Sequence, residues 1–74
     1  MSLAQIFGRN VRRIRMSRGV TLEALAHDVG LAYSYVGQIE RGGRNPTLDV
    51  VERLATALKV SSIELLSEPG DTVA

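Results

Sequence analysis

Residues 21–42 read TLEALAHDVGLAYSYVGQIERG, two short apolar-periodic segments joined at a glycine. Thr21 is placed to cap a helix, because its hydroxyl can accept a first-turn N–H, and Glu23 in that turn complements the helix dipole. Leu22, Leu25, Ala26 and Val29 recur at helical spacing as one inward stripe. Gly30 stands where that helix would stop after about two turns. The three residues Gly30-Leu31-Ala32 lead into a second short helix, from about Tyr33 to Arg41, with Val36 and Ile39 facing inward. Ala26 is small where two helices must cross closely, and Gly30 can adopt the positive φ of a tight turn. Leu25, Val36 and Ile39 are placed to clamp the pair at a steep angle. Together these are the requirements of a helix-turn-helix, whose second helix enters the major groove of DNA.

Before this stretch, Leu3, Phe7, Val11 and Ile14 share one apolar face of a preceding helix, which Gly19 ends. On the other side, Gly42-Gly43 terminates the second short helix and Asn45-Pro46 marks a turn. Thr47 caps a fourth helix carrying Leu48, Val51, Leu54, Ala55 and Leu58 at helical spacing. Ser61-Ser62-Ile63-Glu64 forms a capping box for a brief fifth helix ending near Ser67. No strand pattern competes. The expected architecture is all-α, a compact five-helix domain over residues 1–67 with a central helix-turn-helix, followed by a short flexible tail at 68–74.

Length and composition narrow the function. A chain of 74 residues is one small domain. At that size it buries only roughly 60–65 % of its unfolded surface, which leaves no volume for a large internal pocket. With no cysteine and the single histidine His27, neither a disulfide framework nor a Cys- or His-built metal centre is available. His27 itself reads as a solvent-facing residue of the second helix. There is no nucleophile–base pair, so an enzyme is not expected and no cofactor is implied. The run from Gly37 to Arg44 lacks the Gly-Lys-Ser/Thr ending of a phosphate-binding loop and follows no strand. No apolar run is long enough for a membrane span, and no signal peptide is visible, so the expectation is a soluble cytoplasmic protein without a membrane partner.

The formal net charge is only +1, but the charge is unevenly spread. Residues 1–19 hold Arg9, Arg12, Arg13, Arg15 and Arg18 and no acid. Residues 46–74 hold Arg53 and Lys59 against Asp49, Glu52, Glu64, Glu68 and Asp71. Eight of the nine basic residues are arginine, the side chain suited to bidentate phosphate and base-edge contacts. Arg9 and Arg13 are a like-charge i,i+4 pair, mildly unfavourable to their own helix. Such asymmetry points to an anionic partner on one side.

Residues 7–67 resemble the five-helix Cro/C1 (XRE) type of helix-turn-helix domain, the fold of the lambda repressor. The resemblance is carried by Arg12-Arg13-Ile14-Arg15, Thr21-Leu22-Glu23-Ala24-Leu25-Ala26, Gly30, and Tyr35-Val36-Gly37-Gln38-Ile39-Glu40-Arg41-Gly42. Arg44-Asn45-Pro46-Thr47-Leu48 and Leu54-Ala55-Thr56-Ala57-Leu58-Lys59-Val60 complete it. The stretch from Ser34 to Leu48 is especially similar to the controller proteins of restriction–modification systems, which are small dimeric members. The resemblance implies a sequence-specific transcriptional regulator that binds palindromic double-stranded DNA as a homodimer and acts on RNA polymerase at a promoter. The alternative reading is an antitoxin or other protein-interaction module with autoregulatory DNA binding. In one departure, the position after Thr21 is Leu22 where the family often has glutamine. In another, Tyr33 stands where controllers often have arginine.

If the helix from Tyr33 lies in the groove, its outward residues are Tyr33, Ser34, Gly37 and Gln38. Gln38 can bond adenine N6 and N7, Ser34 can bond donors or acceptors, and Tyr33 offers a hydroxyl and a ring edge. Gly37 fits either close approach of DNA or tight packing against a neighbouring helix. Tyr35, Arg41, Arg44, Asn45 and Thr21 are candidate contacts to the DNA backbone, with Tyr35 alternatively part of the core. The family commonly pairs the positions of Arg15 and Glu40. That pairing would neutralise the acid beside phosphates and orient Arg15 for one. One short helix reads too few base pairs alone, so two copies are expected. Ile63 and Leu65 are the candidate dimer contacts, with Leu65 the one expected to face a partner.

Overall fold

Where each helix begins is set by the cap that precedes it. The computed structural model describes residues 1–68. They form α1 (Leu3–Ser17), α2 (Leu22–Val29), α3 (Tyr33–Glu40), α4 (Leu48–Leu58) and α5 (Ser62–Leu66), with no strand among the described residues. Ser2, Thr21, Thr47 and Ser61 each accept the backbone N–H three residues on, which is the bond expected of an N-cap hydroxyl. Gln5 and Glu64 complete reciprocal capping boxes on α1 and α5. At the other end of α3, Gly42 takes φ 77° and its N–H reaches the Ile39 carbonyl at 2.9 Å. Gly43 N–H reaches Gln38 O at 2.9 Å, completing a two-bond closure of the helix. Lys59 closes α4 in the same way at φ 60° without being glycine, a conformation that costs roughly 1 kcal/mol.

The core is assembled from the stripes that the periodicity marks. Phe7, Val11 and Ile14 from α1 meet Leu25, Ala26 and Val29 from α2 and Val36 and Ile39 from α3. Val50, Val51, Leu54, Ala55 and Leu58 of α4 and Leu65 of α5 complete it. α1 packs across both α3 and α5, while α2 bridges α3 and α4.

Two contacts fix α1 against its neighbours. Gly8 is buried, and a Cβ built there would lie 2.1 Å from the Ile39 carbonyl oxygen and 2.9 Å from that of Glu40. The absence of a side chain therefore lets α1 touch the backbone at the end of α3. Asn10 is fully buried, and its Nδ2 donates to the carbonyls of Leu65 at 2.9 Å and Ser67 at 2.7 Å. That amide satisfies carbonyls at the C-terminal end of α5, where the helix itself supplies no donors.

Three apolar residues depart from expectation. Leu3 and Leu48 are 57 % and 77 % exposed. Each stands at the first position of its helix, ahead of the turn that meets the core. They border one shallow apolar groove with Phe7, Pro46 and Leu66. Leu65 is fully buried and cannot face a partner, whereas Ile63 is 75 % exposed. The reason is that α5 packs on both α1 and α4, so Leu65 points inward and a residue two positions away, about 200° round the helix, points out. No helix among the described residues is long and apolar enough to cross a membrane. Apart from Glu68, the expected flexible tail at 68–74 lies outside the described residues.

Candidate nucleic-acid interface

α3 has one side committed to the protein and one side left open. Val36, Gly37, Ile39 and Glu40 are buried. Tyr33, 56 % exposed, and Ser34 stand at the surface of its first turn, and Gln38 one turn later is half-buried. Among the described residues, α3 is the one helix whose N-cap, Ala32, gives no side-chain hydrogen bond. Its first-turn N–H groups therefore have no side-chain acceptor, in contrast to those of α1, α2, α4 and α5.

Gly37 is not outward as expected. It is covered by Leu22 of α2 and by Arg41, and an added Cβ would lie 3.4 Å from Leu22 Cδ2 and 3.4 Å from Arg41 Nη1. Those are ordinary contact distances to flexible side-chain ends, so packing covers the site without demanding glycine.

The inner side of α3 is anchored by an ion pair. Arg15 Nε donates to Glu40 Oε2 at 2.6 Å and Nη2 donates to Oε1 at 3.0 Å, a bidentate arrangement between side chains only 12 % and 5 % exposed. The hydrogen bond to Glu40 holds the Arg15 guanidinium above the usual arginine range, against the opposing effect of burial. A raised pKa of this kind contributes stability that is fully present throughout the neutral range. Arg15 Nη1 also donates to Val20 O at 2.8 Å. All three nitrogens are thus bonded within the protein, and Arg15 is a brace between α1, the α1–α2 turn and α3.

Of the expected flanking residues, Thr21, Arg41, Arg44 and Asn45 are exposed and Tyr35 is half-buried. Thr21 is exposed, but its Oγ1 accepts Ala24 N–H at 3.0 Å, so its hydroxyl serves first as the α2 cap. Arg41 is exposed at the C-cap of α3, and Arg44 and Asn45 are exposed in the following loop. Tyr35 is half-buried and packs against the core, with the Arg44 guanidinium 4.8 Å above its ring. Arg44 Nη1 donates to Gln38 Oε1 at 3.0 Å. His27 is exposed, as expected.

Several residues that set this geometry carried a signal that periodicity alone does not use. Gly8 is a mid-helix glycine, which costs about 1 kcal/mol and so calls for a packing reason. Asn10 sits beside Val11 on the apolar face of α1, where an amide must find partners. Arg53 donates to the Val29 carbonyl at the end of α2 and lies 3.8 Å from Asp49. Arg13 Nη2 donates to Asn10 Oδ1 at 3.1 Å, so it too has a structural bond.

The comparisons with known proteins agree with this geometry. The helix-turn-helix family HTH_3 matches residues 11–65. The control protein C.BamHI of Bacillus amyloliquefaciens is 42% identical over 62 residues, spanning 82% of this chain and 76% of that protein. The crystal structure of the restriction-modification controller C.AhdI from Aeromonas hydrophila is similar with a TM-score of 0.80 and 44% identity, over 84% of this chain and 94% of that one. SinR, described as the master regulator for biofilm formation and solved in complex with DNA, is similar with a TM-score of 0.78 and 34% identity, over 82% of this chain and 98% of that one.

Proposed function

The chain belongs to the HTH_3 helix-turn-helix family of XRE-type transcription regulators, and we propose that it binds palindromic operator DNA as a homodimer with α3 in the major groove. The observation that carries this reading is the open first turn of α3. Tyr33, Ser34 and Gln38 stand on the outer side of a helix whose inner side is fixed by Gly8 and by the Arg15–Glu40 pair. These three make the base contacts, Gln38 and Ser34 by hydrogen bonds and Tyr33 by its hydroxyl or ring edge. Tyr35, Arg41, Arg44, Asn45 and Thr21 flank them against the DNA backbone.

The dimer is built on α5 and the start of α4. Ile63 and Leu66 are three residues apart on α5 and therefore on one side of it, and Leu66 shares the apolar groove with Leu48 and Leu3. Likeness to C.BamHI and C.AhdI supports a role as a restriction–modification controller in the cytoplasm, acting on RNA polymerase through the position of its operator.

Selection of bound sequences from random duplex DNA tests the reading. Enrichment of a palindrome with two half-sites about one helical turn apart is the expected outcome. Enrichment of no palindrome contradicts it.

A further inference from the structure

Gly42 and Gly43 reverse the chain after α3, and Gly43 N–H bonds back to the Gln38 carbonyl at 2.9 Å. This reversal brings the loop residue Arg44 alongside α3, where its Nη1 lies 3.0 Å from Gln38 Oε1. A guanidinium carries only donors, so the amide atom that meets it is the oxygen, and the Gln38 Nε2 is turned the other way. Arg44 is itself held, because its guanidinium lies 4.8 Å over the ring of Tyr35, and Tyr35 packs against the core. A chain of contacts therefore runs from the core through Tyr35 and Arg44 to a side-chain amide on the open side of α3.

We infer that Arg44 is a positioning residue for sequence reading: it fixes the sense of the Gln38 amide before DNA arrives. The inference rests on the proposal that Gln38 contacts a base. An unrestrained glutamine can present oxygen and nitrogen in either order, and the two orders match adenine on opposite strands of the pair. With Oε1 tied to Arg44, one order is presented, so a base pair is told from its reverse. Preordering also removes part of the cost of immobilising a long side chain on binding.

The test compares the full chain with Arg44→Ala, Gln38→Ala and the double variant on duplexes in which each base pair of the selected operator is substituted in turn. Gln38→Ala identifies the base pair at stake by abolishing preference there. Arg44→Ala is expected to lower discrimination between that pair and its reverse by about three- to tenfold, the net worth of one hydrogen bond. In the Gln38→Ala background, Arg44→Ala is expected to change no preference further. A uniform loss of affinity in Arg44→Ala, with the preference at that pair intact, overturns the inference and leaves Arg44 a phosphate contact. If Gln38→Ala alters no position, the base-reading role of Gln38 fails and the inference fails with it. A second readout needs no DNA: the Gln38 side-chain amide in the free protein is ordered on the nanosecond timescale in the parent chain and mobile in Arg44→Ala. Equal order in both overturns the inference.

Discussion

Two glycines show how closely single residues govern this domain. Gly8 lets α1 rest on the backbone of α3, and a methyl group there would meet the Ile39 carbonyl oxygen at 2.1 Å. Gly37 has only side-chain ends at 3.4 Å. The two therefore respond to alanine with opposite signs. Gly8→Ala forces the helices apart and is expected to cost about 3 kcal/mol or more, whereas Gly37→Ala gains helix propensity and stabilises the free protein by up to about 1 kcal/mol. Thermal denaturation of both variants measures this. Glu40→Ala leaves Arg15 charged and buried without its partner, and an expected loss of about 3 kcal/mol or more in the same experiment reports the worth of the brace. The Arg15–Glu40 pair was legible in the sequence through family resemblance. The roles of Gly8 and Asn10 were not, because a glycine or an amide inside an apolar stripe shows that something unusual is packed there but not which neighbour is involved.

At the scale of elements, the sequence is read most easily where local chemistry acts alone. Thr21, Thr47 and Ser61 mark helix starts, and Gly30 and Gly42 mark helix ends, because capping bonds join residues within one turn. The short helix α5 is where local reading fails. Three large apolar residues on five helical positions leave the choice of inward face to the packing of α1 and α4, and that packing selects Leu65. Ile63 is left at the surface on the same helix, and it carries the dimer proposal in place of Leu65. Ile63→Glu is therefore expected to shift the chain to monomer in sedimentation velocity at tens of micromolar while preserving its helical circular dichroism. A variant still dimeric at that concentration places the interface elsewhere.

For the whole molecule, the net charge of +1 conceals how the arginines are used. Arg13, Arg15 and Arg53 are bonded to Asn10, Glu40 and Val29 within the fold. Arg12, Arg18 and Arg41 are exposed. With so small a net charge, non-specific attraction to DNA is expected to be weak at physiological salt, and in the proposed dimer affinity would depend on base contacts doubled by symmetry. Arg41→Ala is accordingly expected to weaken binding to all sequences and to lower the salt slope by about 1, while Gln38→Ala relaxes one position per half-site. Titrations across salt concentration separate the two. Whether the open side of α3 reads DNA is decided by nuclear magnetic resonance of the labelled chain titrated with its selected duplex. The largest shifts are expected at Tyr33, Ser34 and the Gln38 side-chain amide; shifts confined to the face of Ile63 and Leu48 would show that α3 does not read DNA.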